Sequence, residues 1–373
     1  MTSRVFAPNR GQGFWSAAAS LVGAAIWAAF ATSAGLRRAP FSIIELLFLF
    51  APLVVVPLGW ELARALETQA PALPKGVLRA LYIFAAFAVC IAFWMPPGRS
   101  SAALAIPWLL VCVWVAGSRI IQWRRARRSL LMFLVDIAHV DLALGATWLV
   151  VSRGGWRPMG FQEPIILLTA VHFHYSGFAT AILAATTLRE FERRKLTMPG
   201  SRQLVLLIVF LPFVLAAGFV FSPALRFGAA IALSTCVTAL AMIWLWFAGD
   251  LQNSLSRVYL RMASCAALAA FSLAGLYAVG EYFGNQWITV PGMANSHGVL
   301  NGLGFVLLAI LAWLIELNTA GTGDEPQIAR VRNGREAEVA TSSNASPSID
   351  RHRPANSRPP MVPEFVARDF YDR

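Results

Sequence analysis

Residues Phe161–Leu188 read FQEPIILLTAVHFHYSGFATAILAATTL. The stretch is apolar over more than the ~20 residues that cross a bilayer as a helix. Its middle nevertheless holds His172 and His174, with Thr169, Tyr175 and Ser176 beside them. Ionisable groups at that depth are expensive, so they mark a candidate functional site. The stretch is thus both a membrane span and the centre of whatever the chain does.

The rest of the chain has the same character. Of 373 residues, 57% are hydrophobic and only 13% charged, about half the charged share of a soluble domain. Ten apolar runs reach spanning length: 14–36, 41–62, 76–95, 101–121, 130–151, 163–188, 203–221, 225–248, 258–279 and 295–317. A span must satisfy its own backbone, and these runs are too long and too uniformly apolar for barrel strands. The expected fold is therefore all-α: a polytopic transmembrane helical bundle of about ten spans over residues 1–317, with the lipid bilayer as its surroundings. Residues 318–373 are polar and rich in Pro and Ser, and are expected to form a disordered cytoplasmic tail. The first run is read as a membrane anchor, because its apolar core exceeds that of a signal peptide.

The net charge of +12 does not point to nucleic acid. Lys and Arg gather in short connections between runs, seventeen in those on the N-terminal side and six in the alternate ones, before the tail is counted. This is the positive-inside pattern, and it places both termini in the cytoplasm. The four cysteines, Cys90, Cys112, Cys236 and Cys265, fall singly inside apolar runs and suggest neither disulfides nor a thiolate metal site. Phosphate-binding loops and a GxSxG nucleophile motif are absent.

Helical geometry sorts the candidate residues. His172 and His174 are two residues apart and point nearly opposite ways. His172 shares a stripe with Thr169 and Ser176, so it is expected to face a polar interior, while His174 meets a different neighbouring helix. On the fifth span Asp136 and His139 share a face, an arrangement in which the carboxylate orients the imidazole. Asp141 lies on another face with Gly145 and Trp148. On the last span His297 and Asn301 are four apart, and Gly298 and Gly302 allow a close helix approach. Glu281 lies on the same side of the bundle as His297. Ahead of His297, Pro291-Gly292 is expected to interrupt the helix, with Asn295 or Ser296 capping a new one. The segment before it is then either a re-entrant loop or an ordinary external one.

Three readings of this cluster stand side by side. His172, His139 and Asp136 form the titrating core of a site that moves a small solute, ion or proton. Alternatively, His139, His172, His174 and His297 hold a transition metal or haem in a membrane enzyme, for which neutral imidazole is suited. Or the groups only tie the bundle together through interhelical hydrogen bonds, as in a non-catalytic assembly or sensory factor.

HFHYSGF (His172–Phe178) and HGVLNGLGF (His297–Phe305) resemble the HFHYAGF-type and HGxxNxxGF-type signatures of the bacterial YndJ-like membrane family, with Ser176 in place of an expected Ala. DIAHVDLALGATW (Asp136–Trp148) resembles that family's preceding helix. The similarity covers the helices from about the fifth onward. It implies a multi-pass bacterial plasma-membrane protein, of a kind sometimes labelled a transporter.

Overall fold

The computed structural model describes residues 10–66, 75–123, 129–196 and 198–323. The described residues hold ten helices long and apolar enough to cross a membrane: α1 (Trp15–Gly35), α2 (Ile43–Ala65), α3 (Gly76–Trp94), α4 (Arg99–Gln122), α5 (Leu130–Gly154), α6 (Ile165–Arg194), α7 (Ser201–Phe221), α8 (Pro223–Asp250), α9 (Ser254–Tyr282) and α10 (Val290–Thr319). No strand occurs among them. The described residues belong to one compact unit. The expected tail lies outside the described residues.

Helix α2 is the most buried span and α1 the least. Pro52 and Pro57 lie inside α2 and supply no backbone N–H. The helix passes through a π-helical turn at Ala51–Val55, where Val56 N–H reaches back to the Ala51 carbonyl. Carbonyls of α2 accept from side-chain donors on other helices. Trp27 Nε1–H of α1 donates to the Leu46 carbonyl (2.7 Å), Tyr175 Oη–H of α6 to the Leu47 carbonyl (2.8 Å), and Tyr82 Oη–H of α3 to the Pro52 carbonyl. A carbonyl left unpaired in hydrocarbon costs several kcal/mol, so these bonds hold α1, α3 and α6 around α2.

Glycines bring the same helices close. A Cβ on Gly23 of α1 would fall 2.0 Å from the Leu53 carbonyl oxygen of α2. On α5, Gly145 receives the His174 ring, where a Cβ would meet Nδ1 at 2.6 Å. Four residues earlier, Asp141 of α5 fills the space over Gly177 of α6, where a Cβ would meet the Asp141 Cβ at 2.6 Å. The α5–α6 contact is therefore an interlocked pair of small and large positions, as close membrane packing requires.

The start of α10 corrects the expected break. Pro291-Gly292 does not interrupt the helix; it lies in the first turn, where the missing proline N–H would have had no partner in any case. Thr289 is the N-cap and accepts from Gly292 N–H (3.2 Å). Asn295 and Ser296 sit inside the helix and donate to the carbonyls of Pro291 and Gly292. The 283–289 connection ahead of it is non-helical and mostly exposed. Helix α10 then runs through π-helical stretches at Ala294–Gly298 and Leu300–Leu307. Cys265 is exposed, while Cys90, Cys112 and Cys236 are buried.

Polar contacts gather at the two ends of the bundle. At the charge-poor end Glu163 accepts from Ser152 Oγ–H (2.5 Å) and from Leu167 N–H (3.1 Å), and Arg226 pairs with Glu281 at 3.1 Å. At the arginine-rich end Glu316 of α10 accepts from the N–H groups of Gln252 (2.7 Å) and Asn253 (3.1 Å) ahead of α9. Glu190 there pairs with Arg193 and Arg194. The Gly23 contact has a direct test. Gly23→Leu is expected to lower unfolding stability in detergent by about 1–3 kcal/mol. Gly117→Leu on α4, where a Cβ meets nothing within 4 Å, should change it little; equal losses would mean that the α1–α2 contact is not limiting.

Candidate functional site

A cavity of about 260 Å3 opens among α6, α7, α8, α9 and α10, with Leu47 of α2 at its back. Arg226, Glu281 and Tyr282 stand near the charge-poor end, and Ser176 and Asn301 lie deepest along their helices. Ser176 and Asn301 each lie eleven residues past the first residue of their span, about 16 Å at the rise of an α-helix. Each of these spans is 30 residues long, so the cavity reaches about a third of the way along them. The wall is mostly apolar, with aromatic rings at the outer part, where Phe227 stacks on Tyr282 at 4.5 Å.

The floor of the cavity is built where α6 and α10 leave the α-helical register. Helix α6 is π-helical over Phe173–Ala179, with Thr180 N–H bonded five residues back to the Tyr175 carbonyl. Such turns occur often at functional sites. Gly302 of α10 sits against Tyr175, where a Cβ would come 3.2 Å from the ring. Gly298 sits against Leu47, where a Cβ would come 2.6 Å from the side-chain Cδ1. The small-xxx-small pair thus seats α10 on both α6 and α2.

Six of the sequence-selected residues share this cavity: Thr169, His172, Tyr175, Glu281, His297 and Asn301. His172 is exposed on the wall. Its Nδ1 lies 2.7 Å from the Leu168 carbonyl, and His297 Nδ1 lies 2.9 Å from the Ala270 carbonyl of α9. A carbonyl only accepts, so each Nδ1 carries a hydrogen. Thr169 Oγ1–H is spent on the Ile165 carbonyl (2.9 Å) and Tyr175 Oη–H on Leu47. Asn301 is only 7% exposed, and its Oδ1 has no hydrogen-bond partner among the described residues.

The other four candidates lie elsewhere. Asp136 is ion-paired with Arg119 of α4 at 2.9 Å. His139 is buried, with Nδ1 2.7 Å from the Val135 carbonyl and its ring edge-on to Phe178. Neither lines the cavity, so the expected grouping of Asp136 and His139 with His172 and His297 does not form. Asp136 meets Arg119 of α4, while the His139 ring lies against Phe178 of α6. Asp141 is fully buried against Gly177, and neither carboxyl oxygen has a hydrogen-bond partner among the described residues. His174 is fully buried on the side opposite His172. Its Nδ1 lies 2.8 Å from the Ala170 carbonyl, and its Nε2 accepts from Trp108 Nε1–H of α4 at 3.1 Å. Phe48 of α2 meets the same ring edge-on at 4.9 Å. The four imidazoles expected as metal or haem ligands therefore do not converge. Among the described residues no three His, Cys, Asp or Glu side chains lie close enough to hold a metal ion.

Trp108, Arg119 and Arg226 escaped the sequence reading as partners. Trp108 looks like any apolar residue of a span, and the two arginines register only as topology markers. The one available signal was that each lies within or beside a span rather than well out in a connection. Trp108→Phe should leave the buried His174 Nε2 without a donor and cost about 1–3 kcal/mol of unfolding stability. His172→Ala, on the open wall, should stay within about 0.5 kcal/mol. Denaturant unfolding of the two variants checks this, and the reverse order would exchange the roles assigned to the two histidines.

The family model described as YndJ-like protein matches residues 46–305. It therefore begins in α2, well before the fifth span, where the signature similarity starts. The chain is 26% identical over 278 residues to a protein of Bacillus subtilis (strain 168) described as uncharacterized membrane protein YndJ, covering 74% of this chain and 49% of that one. The chain thus spans about half the length of that curated relative. No solved structure matches. A match over more than half of the chain, joined to ten membrane-spanning helices, makes this a multi-pass membrane protein that belongs to the YndJ-like family.

Proposed function

We propose that the protein transports a small solute across the bacterial plasma membrane, with both termini cytoplasmic and the cavity between α6 and α10 as its binding site. The orientation follows from the Lys and Arg bias of the connections. The observation that carries the reading is the cavity itself, which runs inward from Arg226 and Glu281 and is lined at its inner part by His172, Ser176, His297 and Asn301. Polar side chains gathered at a cavity within membrane-spanning helices are by default a functional-site hypothesis. His172, Ser176 and His297 complete the polar floor, while Asp136, His139, Asp141 and His174 serve the packing behind it. This moves the active centre from the expected His/Asp pair to a His/Asn group.

Transport requires that the site open to each side in turn. In a variant whose four native cysteines are replaced, Ser176→Cys should react with a membrane-impermeant thiol reagent from the outside, and solute should shift the reaction to the cytoplasmic side. Reaction from one side only, under every condition, would retire transport and favour a ligand-sensing or assembly role for the same cavity.

A further inference from the structure

We infer that Asp141, in the packing behind the cavity, is a proton-carrying switch. It is a neutral carboxylic acid while α5 and α6 are packed together, and it releases its proton when α6 moves away. Naming the proton as the coupling species rests on the transport reading above; the switch itself does not. Asp141 is fully buried near the middle of α5, and neither carboxyl oxygen has a hydrogen-bond partner among the described residues. Gly177 of α6 closes over it, where a Cβ would meet the Asp141 Cβ at 2.6 Å, Cγ at 2.8 Å and Oδ2 at 3.0 Å. An isolated carboxylate in such an apolar enclosure is heavily penalised, and the group keeps its proton instead.

The helices packed most against α5 are α4, α6 and α7, and their titratable groups are engaged or placed elsewhere. On α4, Arg119 is paired with Asp136 at 2.9 Å, and the buried Cys112 thiol bonds to neither Asp141 oxygen. On α6, His174 is spent on the Ala170 carbonyl and Trp108, while His172 and Tyr175 line the cavity. Arg189 and Glu190 lie about three turns beyond Gly177. Arg202 of α7 is in that helix's first turn. On α5 itself, His139 is held to the Val135 carbonyl, and Arg153 lies beside Glu45 at 4.0 Å. A carboxylate at Asp141 is therefore solvated only if α5 and α6 part and water enters. The proton passes to that water and leaves the carboxylate behind. Ser176 adjoins Gly177 and lines the cavity, so the movement that frees Asp141 carries Ser176 inward. Rising pH favours the state with fewer bound protons, which is the separated one.

Two measurements on the full chain in lipid nanodiscs test this. Infrared spectra at neutral pH should show the C=O band of a protonated carboxylic acid that is absent from Asp141→Asn. If that variant does not fold, carboxyl-labelled aspartate assigns the band in the unaltered chain, and Asp141→Ser is the second non-titrating reference. The rate of Ser176→Cys labelling from outside, in the cysteine-replaced background, is then compared with and without Asp141→Asn across pH. Titration of the thiol is common to both, so the ratio of rates isolates Asp141. With Asp141 present the rate should fall relative to the reference, by up to about tenfold per unit of pH above its midpoint. Absence of the band at neutral pH overturns the inference. So does a band accompanied by a constant ratio, which would make Asp141 a packing residue only. A pH-dependent ratio with labelling from one side only, whatever the solute, would retire transport and leave the switch standing. A solute-driven change of side with a constant ratio would do the opposite.

Discussion

Backbone carbonyls of the buried helix α2, held by side chains from three other helices, are the constraint on which the rest of the bundle depends. In water a carbonyl without its helical partner bonds to solvent; in hydrocarbon it must find a donor or lose several kcal/mol. Helix α2 carries two prolines near its middle, and three of its carbonyls are met by Trp27, Tyr82 and Tyr175 from three different helices. Each bond fixes both the rotation and the height of the donor helix relative to α2. That is a stronger specification than apolar packing gives, since lipid is as good a partner for Leu as another helix is. The close approach of Gly23 to the Leu53 carbonyl belongs to the same system.

The site follows from that constraint. Tyr175 is both the anchor of α6 on Leu47 and the ring against which Gly302 of α10 rests. Helices α6 and α10 are held together at that point. His172, Ser176 and Asn301 come to one cavity, while His174 turns to Trp108 and Phe48 behind it. The two histidines of one motif thus have separate tasks. His174, donating through Nδ1 and accepting at Nε2, is held in a single neutral tautomer and contributes to packing. His172 has one nitrogen committed and its ring on open space.

The separation of His172 from His174 was legible in the sequence, because it depends only on the angle per residue. So were the ten spans, which depend on length and apolarity. The start of α10 was not, because Pro-Gly reads equally as a helix breaker and as a first turn, and only the cap at Thr289 decides between them. The partner of Asp136 was not legible either. His139 is three residues away, but Arg119 is seventeen, and which of them the carboxylate meets depends on how α4 leans on α5. The candidate site was read as one cluster because intramembrane polar residues look alike in a sequence. The structure divides them by what lies opposite, which periodicity does not encode.

This division also bears on how the cavity wall tolerates change. Helix α6 presents His172 and Ser176 to the cavity and Gly177 and His174 to α5, within six residues of one π-helical stretch. On the α5 side there is no slack, since the Asp141 side chain already occupies the space any Cβ at Gly177 would need, and the His174 ring that of a Cβ at Gly145. A packed interior responds to such crowding by displacement rather than by compression. A shift of α6 away from α5 is a shift into the cavity, carrying His172 and Ser176 toward His297 and Asn301. The shape of the binding space is therefore set as much by the glycines behind α6 as by the polar residues in front of it.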